Sequence, residues 1–348
     1  MKTTVSPSNH VLVIRLSALG DVAMTIPVLK AVTTQYPDLR ITVLTRAFFK
    51  PMFSSLSQCK VYEIDVKKRH KGIVGLLKLF LELKPLEIDK VADLHNVLRS
   101  KVLKQFFELK GTPVAQLDKG RAEKRILTSG NQKQLHFLKH TVERYADVFE
   151  SLGYPVDLTL ATPIEKRDLG LKIINLLGTK DVKWIGIAPF AAHNGKMYPL
   201  DLMEEVISVL SKMEYKIMLF GGGEKEKNTL QRMADTFPNT FSMVGEFSFA
   251  EELNLISHLD IMVSMDSGNA HLAAIYGVPT VTIWGVTHPA AGFSPFGQKI
   301  DNVLLSDRDK YPLIPTSIYG NKVPHGYEHV MRTISPGVIV DKVKEILG

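Results

Sequence analysis

Apolar positions along this 348-residue chain fall into two patterns. Short unbroken apolar runs read as buried strands, and longer stretches with apolar residues every three or four positions read as helices packed on one face. Val11 to Leu16 (VLVIRL) is the first strand, interrupted only by Arg15, and it ends in the turn Ser17-Ala18-Leu19-Gly20-Asp21. A helix over about 22–35 follows, with Pro27 tolerated early in it or kinking it. Pro37-Asp38 breaks that pattern, and Ile41 to Leu44 supplies the next strand. An apolar helix over about 73–83 leads to a strand at 90–94, and 97–109 and 135–151 read as further helices. The stretch 153–170, with two prolines, two glycines and mixed charge, reads as an inter-domain linker. A second series then begins: strand 184–188, helix 200–213, strand 216–220, helices 225–236 and 249–257, strand 261–264, a helix from Ser267, and strand 280–284. The last helix, about 336–347, has no obvious partner in its own half. Strand, turn, helix, strand, read twice, predicts an α/β protein with two doubly wound parallel sheets.

Four turns of the second half leave strand ends and carry reactive groups. The segment Val263 to Ala274 reads as a strand end, a polar turn and the first turns of a helix. Asp266 or Ser267 can cap that helix, and Gly268 lets a ligand approach bare backbone N–H groups. Such a helix start carries partial positive charge and suits a phosphate or diphosphate, with His271 facing the same mouth. Ala188 to Lys196 (APFAAHNGK), Gly221 to Glu224 and Gly285 to Pro289 are the other three turns. An ammonium, a helix N-terminus, an imidazole and a carboxylate around one crevice suit a nucleotide sugar. The turn after the first strand is different. It has one glycine, not the G-x-G-x-x-G of dinucleotide enzymes, and Asp21 stands where a diphosphate would dock. A dehydrogenase is therefore disfavoured, and Asp21 is either a general base or a plain helix cap.

Composition narrows the class. Residues 1–165 hold 25 Lys/Arg against 16 Asp/Glu, a balance of +9, whereas residues 166–348 hold 18 against 20, a balance of −2, so the positive charge behind the net +7 sits in the first half. That half looks prepared for an anionic partner. Nucleic acid is disfavoured, because the basic residues are not interleaved with aromatic positions and no nucleic-acid signature is present. Cys59 is the single cysteine, which fits a reducing compartment, and no signal segment or uncharged apolar run of spanning length is visible, so the expectation is a cytoplasmic protein. The histidine spacings match no metal motif.

Ser17-Ala18-Leu19-Gly20-Asp21, Lys196-Met197-Tyr198-Pro199, Asp266-Ser267-Gly268-Asn269-Ala270-His271-Leu272-Ala273-Ala274 and Gly285-x-Thr287-x-Pro289 resemble the family 9 glycosyltransferases, the heptosyltransferases of the lipopolysaccharide inner core. The resemblance implies a GT-B fold of two Rossmann-like domains facing a cleft. The domains are an acceptor domain over 1–165, a nucleotide-sugar domain over 166–334, and a last helix, 335–348, crossing back onto the first. It implies inverting, metal-independent transfer from ADP-L-glycero-β-D-manno-heptose, with no further cofactor. On matching positions Asp21 resembles the catalytic base and Lys196 the lysine on the donor phosphates. Asp266, Ser267, Gly268 and His271 resemble the diphosphate cradle, and Glu224 (or Glu226) the acid on the donor ribose. Tyr198 and His288 depart from the Trp and Asp frequent in the family. Acceptor candidates are Lys67, Lys68, Arg69 and Lys71, with His95, Arg99 and Arg121, for an anionic glycolipid. The apolar helix after the basic run is either a buried crossover or a peripheral contact with the inner membrane. A transferase using another nucleotide sugar and a nucleotide-sugar-binding protein without turnover are the alternatives.

Overall fold

Two all-parallel sheets organise the chain, each the spine of one unit. The structure is a computed structural model and describes residues 9–130 and 135–348. In unit 1, β1 (His10–Ile14) runs through α1 (Leu19–Ala23) and α2 (Thr25–Gln35) to β2 (Arg40–Thr45) and β3 (Cys59–Glu63). The chain then continues through α3 (Gly72–Leu83), β4 (Lys90–Asp93), α4 (Leu98–Leu109) and β5 (Val114–Gln116). The strand order is β3-β2-β1-β4-β5. Val11 lies opposite Ile41 on one side and Lys90 on the other, so β1 is central and wholly buried, which accounts for its near-continuous apolar run.

Next come α5 (Arg121–Leu127) and α6 (Thr141–Ser151), which part company. Unit 1 comprises the described residues up to Lys119 together with Thr141–Thr162, so α6 belongs to it and packs on α2. Gly120–His140, with α5, groups with unit 2. Leu127 packs on Ala290 and Ala291, the Leu138 N–H donates to the Ala290 carbonyl, and the Lys124 ammonium lies 4.2 Å from the Phe293 ring centre.

Unit 2 resumes at Pro163 with α7 (Leu171–Leu177), β6 (Lys183–Ala188), α8 (Leu200–Leu210), β7 (Tyr215–Leu219), α9 (Glu224–Thr236) and β8 (Thr240–Ser242). It continues with α10 (Phe249–Ser257), β9 (Ile261–Met265), α11 (Gly268–Ile275), β10 (Thr280–Trp284), β11 (Val303–Leu305) and α12 (Pro336–Leu347). Its strand order is β11-β10-β9-β6-β7-β8. Ile185, Ile187, Val263, Val281 and Ile283 on the central strands face Met203, Val206, Ile207 and Leu210 of α8 in one core. Among the described residues, no helix is long and apolar enough to cross a membrane.

Several expectations need correction. The helix over 22–35 is two helices meeting at Met24, and 135–140 is not helical. The boundary falls at 162/163, not 165/166, because the Ile164 N–H already donates to the Ile275 carbonyl of unit 2. Ile339, Val340 and Val343 of α12 lie in the unit 2 core, and α12 packs on α8. Arg121, placed by sequence on the acceptor half, opens α5 and so belongs to unit 2.

Candidate active site

In an open parallel sheet, ligands bind beyond the carboxyl ends of the strands where the winding order reverses. In unit 1 that point lies between β1 and β4. The β1 end contributes Arg15, Ser17 and Asp21. The Arg15 guanidinium is buried, makes an ion pair of 2.5 Å with Asp21 Oδ2, and donates to the Leu94 carbonyl at 2.7 Å. Asp21 also accepts from the Ala18 N–H at 3.2 Å, and its side chain stays 28% exposed. Beneath them the buried Tyr145 donates its hydroxyl to the Asp21 carbonyl at 3.2 Å, with the guanidinium 5.8 Å from its ring centre. Asp21 thus acts as a partial cap and still presents a carboxylate to solvent.

The β4 end contributes His95, Asn96 and Arg99. Asp93, fully buried, shapes this turn: Oδ1 accepts from the N–H groups of His95 and Asn96 at 2.9 Å each, and Oδ2 from the Ser100 hydroxyl at 2.9 Å. Asn96 sits at φ +47°, a backbone region Asn tolerates better than most residues, and its amide donates to the Leu117 carbonyl. His95 is buried, its Nε2 3.4 Å from Ser17 Oγ. Burial, then the positive charges of Arg15 and Lys119, push its pKa down to about 3, so it is neutral near pH 7.

The winding of unit 2 reverses between β6 and β9, and the two loops leaving those strands meet. Lys196, from the loop after β6, pairs its ammonium with Asp266 Oδ2 at 2.8 Å, both side chains largely buried. Thr287, from the loop after β10, donates to the same oxygen at 3.0 Å. Gly320 closes over the lysine at φ +76°: a Cβ there would fall 2.3 Å from Lys196 Cγ. Ser267 precedes α11 but does not cap it; its hydroxyl pairs with Ser264 Oγ at 3.0 Å. Neither expected cap therefore serves, because Asp266 is committed to Lys196 and Thr287. The first-turn N–H groups of α11 stand beside an ammonium, an arrangement that favours an anion. His271 is buried on α11 four residues beyond Ser267. On α9, Glu226 Oε2 accepts from the Gly222 N–H at 2.7 Å, leaving Glu224, exposed at the first helical position, as the acid directed to solvent.

Residues 76–317 match glycosyltransferase family 9 (heptosyltransferase). The chain belongs to that family. It is 26% identical to lipopolysaccharide heptosyltransferase 3 of Escherichia coli K12 over 278 residues, 77% of this chain and 80% of that protein. The fold matches a family 9 glycosyl transferase from Veillonella parvula (TM-score 0.77, 20% identity, 98% of each chain). It also matches the E. coli ADP-heptose lps heptosyltransferase II (TM-score 0.71, 18% identity, 97% of this chain and 98% of that one). The two doubly wound units are those of the GT-B fold, and the protein is a glycosyltransferase.

Both departures from the family pattern have structural roles in this transferase. Tyr198 is buried, and its hydroxyl donates to the Ile334 carbonyl at 2.6 Å. His288 Nδ1 accepts from the Ala290 N–H at 3.1 Å, capping a short 3-10 turn as a carboxylate would, and burial pushes its pKa down to about 4. A D-x-D triplet, Asp307-Arg308-Asp309, does occur, and Asp307 Oδ1 accepts from the N–H groups of Asp309 and Lys310. No group of three or more potential metal ligands lies together among the described residues. Sequence reading missed Arg15, Asp93, Tyr145 and Gly320. Only Arg15 left a signal, a charge inside an otherwise apolar strand.

The basic candidates divide. The Asp65 carboxylate accepts from the N–H groups of Lys67, Lys68 and Arg69, and Glu82 holds both Arg69, at 2.6 Å, and the buried His70, at 3.0 Å. Lys67, Lys68 and Lys71 are exposed, and Arg99 is half-buried at the start of α4.

Proposed function

We propose that this transferase moves a heptose from ADP-L-glycero-β-D-manno-heptose to a Kdo or heptose of a lipopolysaccharide inner-core acceptor, with inversion and without a metal ion. The observation that carries the donor half is the Lys196 ammonium, 2.8 Å from Asp266, beside the uncapped start of α11. Lys196 and the N–H groups at Ser267 and Gly268 neutralise the charge that gathers on ADP as the glycosidic bond breaks. Asp266 orients the lysine, His271 completes the cradle, and Glu224 takes a ribose hydroxyl. In unit 1, Asp21 draws the proton from the acceptor hydroxyl as its oxygen attacks the anomeric carbon opposite the leaving group. Arg15 positions that carboxylate by holding Oδ2. His95, Arg99 and the exposed residues of the 67–71 run, all on unit 1, bind the acceptor's phosphates and carboxylates. Such an acceptor is lipid-linked, which places the enzyme peripherally at the cytoplasmic face of the inner membrane.

The test is turnover of ADP-heptose against a panel of UDP-, GDP- and dTDP-sugars on a deheptosylated core acceptor. Preference for ADP-heptose by at least about a hundredfold in kcat/KM is expected, since lost hydrogen bonds to a base are strongly discriminated. Preference for another nucleotide sugar, or tight ADP binding with no turnover, would overturn the reading.

A further inference from the structure

We infer that α3 and the loop before it form a docking surface for an anionic lipid bilayer. The helix buries Gly75, Leu76, Leu79 and Leu83 against the unit 1 core and leaves a second apolar face outside. Ile73 is 69% exposed and Val74 81%, and Leu77 and Leu81 continue the stripe at helical spacing. Leu98, 80% exposed at the start of α4, extends the patch across a groove of about 430 Å³ between the two helix starts. Contiguous exposed apolar surface of this kind is uncommon on a soluble face that touches nothing.

Charge selects the occupant. From Val66 to Leu81 the chain carries five Lys/Arg and no Asp/Glu. The nearest acids are engaged: Asp65 holds the turn's backbone N–H groups, and Glu82 holds Arg69 and His70. Those bonds also fix the turn, so that Lys67, Lys68 and Lys71 are presented at the amino end of the helix. An apolar stripe edged with lysines matches an interface where acyl chains meet anionic headgroups. A second copy of the chain fits poorly, because a two-fold contact through this face would bring two sets of lysines together. The inference rests on the proposed function for the enzyme's place at a membrane and adds the surface that docks there; vesicle binding tests that surface apart from sugar transfer.

The full chain is mixed with vesicles of phosphatidylcholine alone or with added phosphatidylglycerol, and binding is read by co-sedimentation. Binding to the anionic vesicles only is expected. Val74→Asp with Leu77→Asp should lower the partition coefficient about tenfold or more, as should Lys67→Gln, Lys68→Gln and Lys71→Gln together. A charge-matched control on exposed lysines of unit 2, Lys183→Gln, Lys212→Gln and Lys299→Gln, should change it less than about twofold. Since Cys59 is buried, a polarity-sensitive dye on Val74→Cys reads the same face in an otherwise intact protein, and its emission should shift to the blue on anionic vesicles. Equal loss in the control triple, wild-type binding by the aspartate variant, or no dye shift would overturn the inference. So would a vesicle-independent change in sedimentation of the aspartate variant, which would mark a contact between copies.

Discussion

Two ion pairs, Arg15 with Asp21 and Lys196 with Asp266, share one chemistry with the deeper partner reversed. In the first the cation is buried and the carboxylate reaches solvent, so the guanidinium serves as a brace. In the second the carboxylate is the deeper partner, held also by Thr287, and it aims an ammonium. Removing the working charge should therefore cost more than removing its brace. Lys196→Met should weaken ADP binding about 10- to 100-fold, the worth of a hydrogen bond to a charged group. Asp266→Asn should weaken it less, because the lysine keeps its charge and loses only one anchor. Calorimetric titration with ADP separates the two. A larger loss in the Asp266 variant would mean that this residue, and not the lysine, dominates the grip.

At the scale of loops and elements, the site depends on close backbone approach. Gly320 and Gly297 have nearly the same φ, +76° and +75°, but only Gly320 leans on Lys196; nothing lies within 4 Å of a Cβ built at Gly297. Alanine at Gly297 should cost about 1–2 kcal/mol of stability through the left-handed backbone, and alanine at Gly320 more, because its Cβ must also displace Lys196. Only Gly320→Ala should also weaken ADP, by several-fold; equal ADP affinity in both variants would remove that loop from the site. The sequence pattern revealed the turns that hold Asp21, Lys196 and Asp266 because they follow central strands, whose burial on both faces leaves unbroken apolar runs. It did not reveal β3, β5, β8 or β11. All four are sheet edges with part of their length solvated, so their residues mix polar with apolar and carry no clear period. The braces were equally silent: Tyr145 and Gly320 act through contacts far along the chain, and Asp93, which holds its neighbours His95, Asn96 and Ser100, is one polar residue at a strand end. The helix read as either a buried crossover or a membrane contact buries one face of α3 in the unit 1 core and leaves the other exposed.

The molecule as a whole should respond to mild acid unevenly. In unit 1, His95 is held neutral with its pKa down to about 3, and burial also lowers that of His10. Such groups take up a proton on unfolding below about pH 6.5, so the folded state loses stability as the pH falls through that value. For His95 alone the loss is about 1.4 kcal/mol by pH 5.5, above the range where exposed carboxylates titrate. In unit 2, His288, lowered to about 4, acts in the same sense. Glu252 acts in the other: burial raises its carboxyl to about 7, so the native state gains a proton, and stability, as the pH drops. The two offset each other. Calorimetric melts at about pH 7.5 and about pH 5.5 should therefore show the acid loss in unit 1, and His95→Gln should reduce it. An unchanged loss in that variant would place the titrating groups elsewhere.

The proposed division of labour, base on unit 1 and donor grip on unit 2, is tested most directly by Asp21→Asn, measured for both transfer rate and ADP affinity in one preparation. The account predicts a fall in kcat of about 10²- to 10⁴-fold, the usual worth of a general base, with the Kd for ADP within about twofold of wild type. A variant that transfers at near the wild-type rate, or one whose ADP affinity falls as far as that of Lys196→Met, would contradict it.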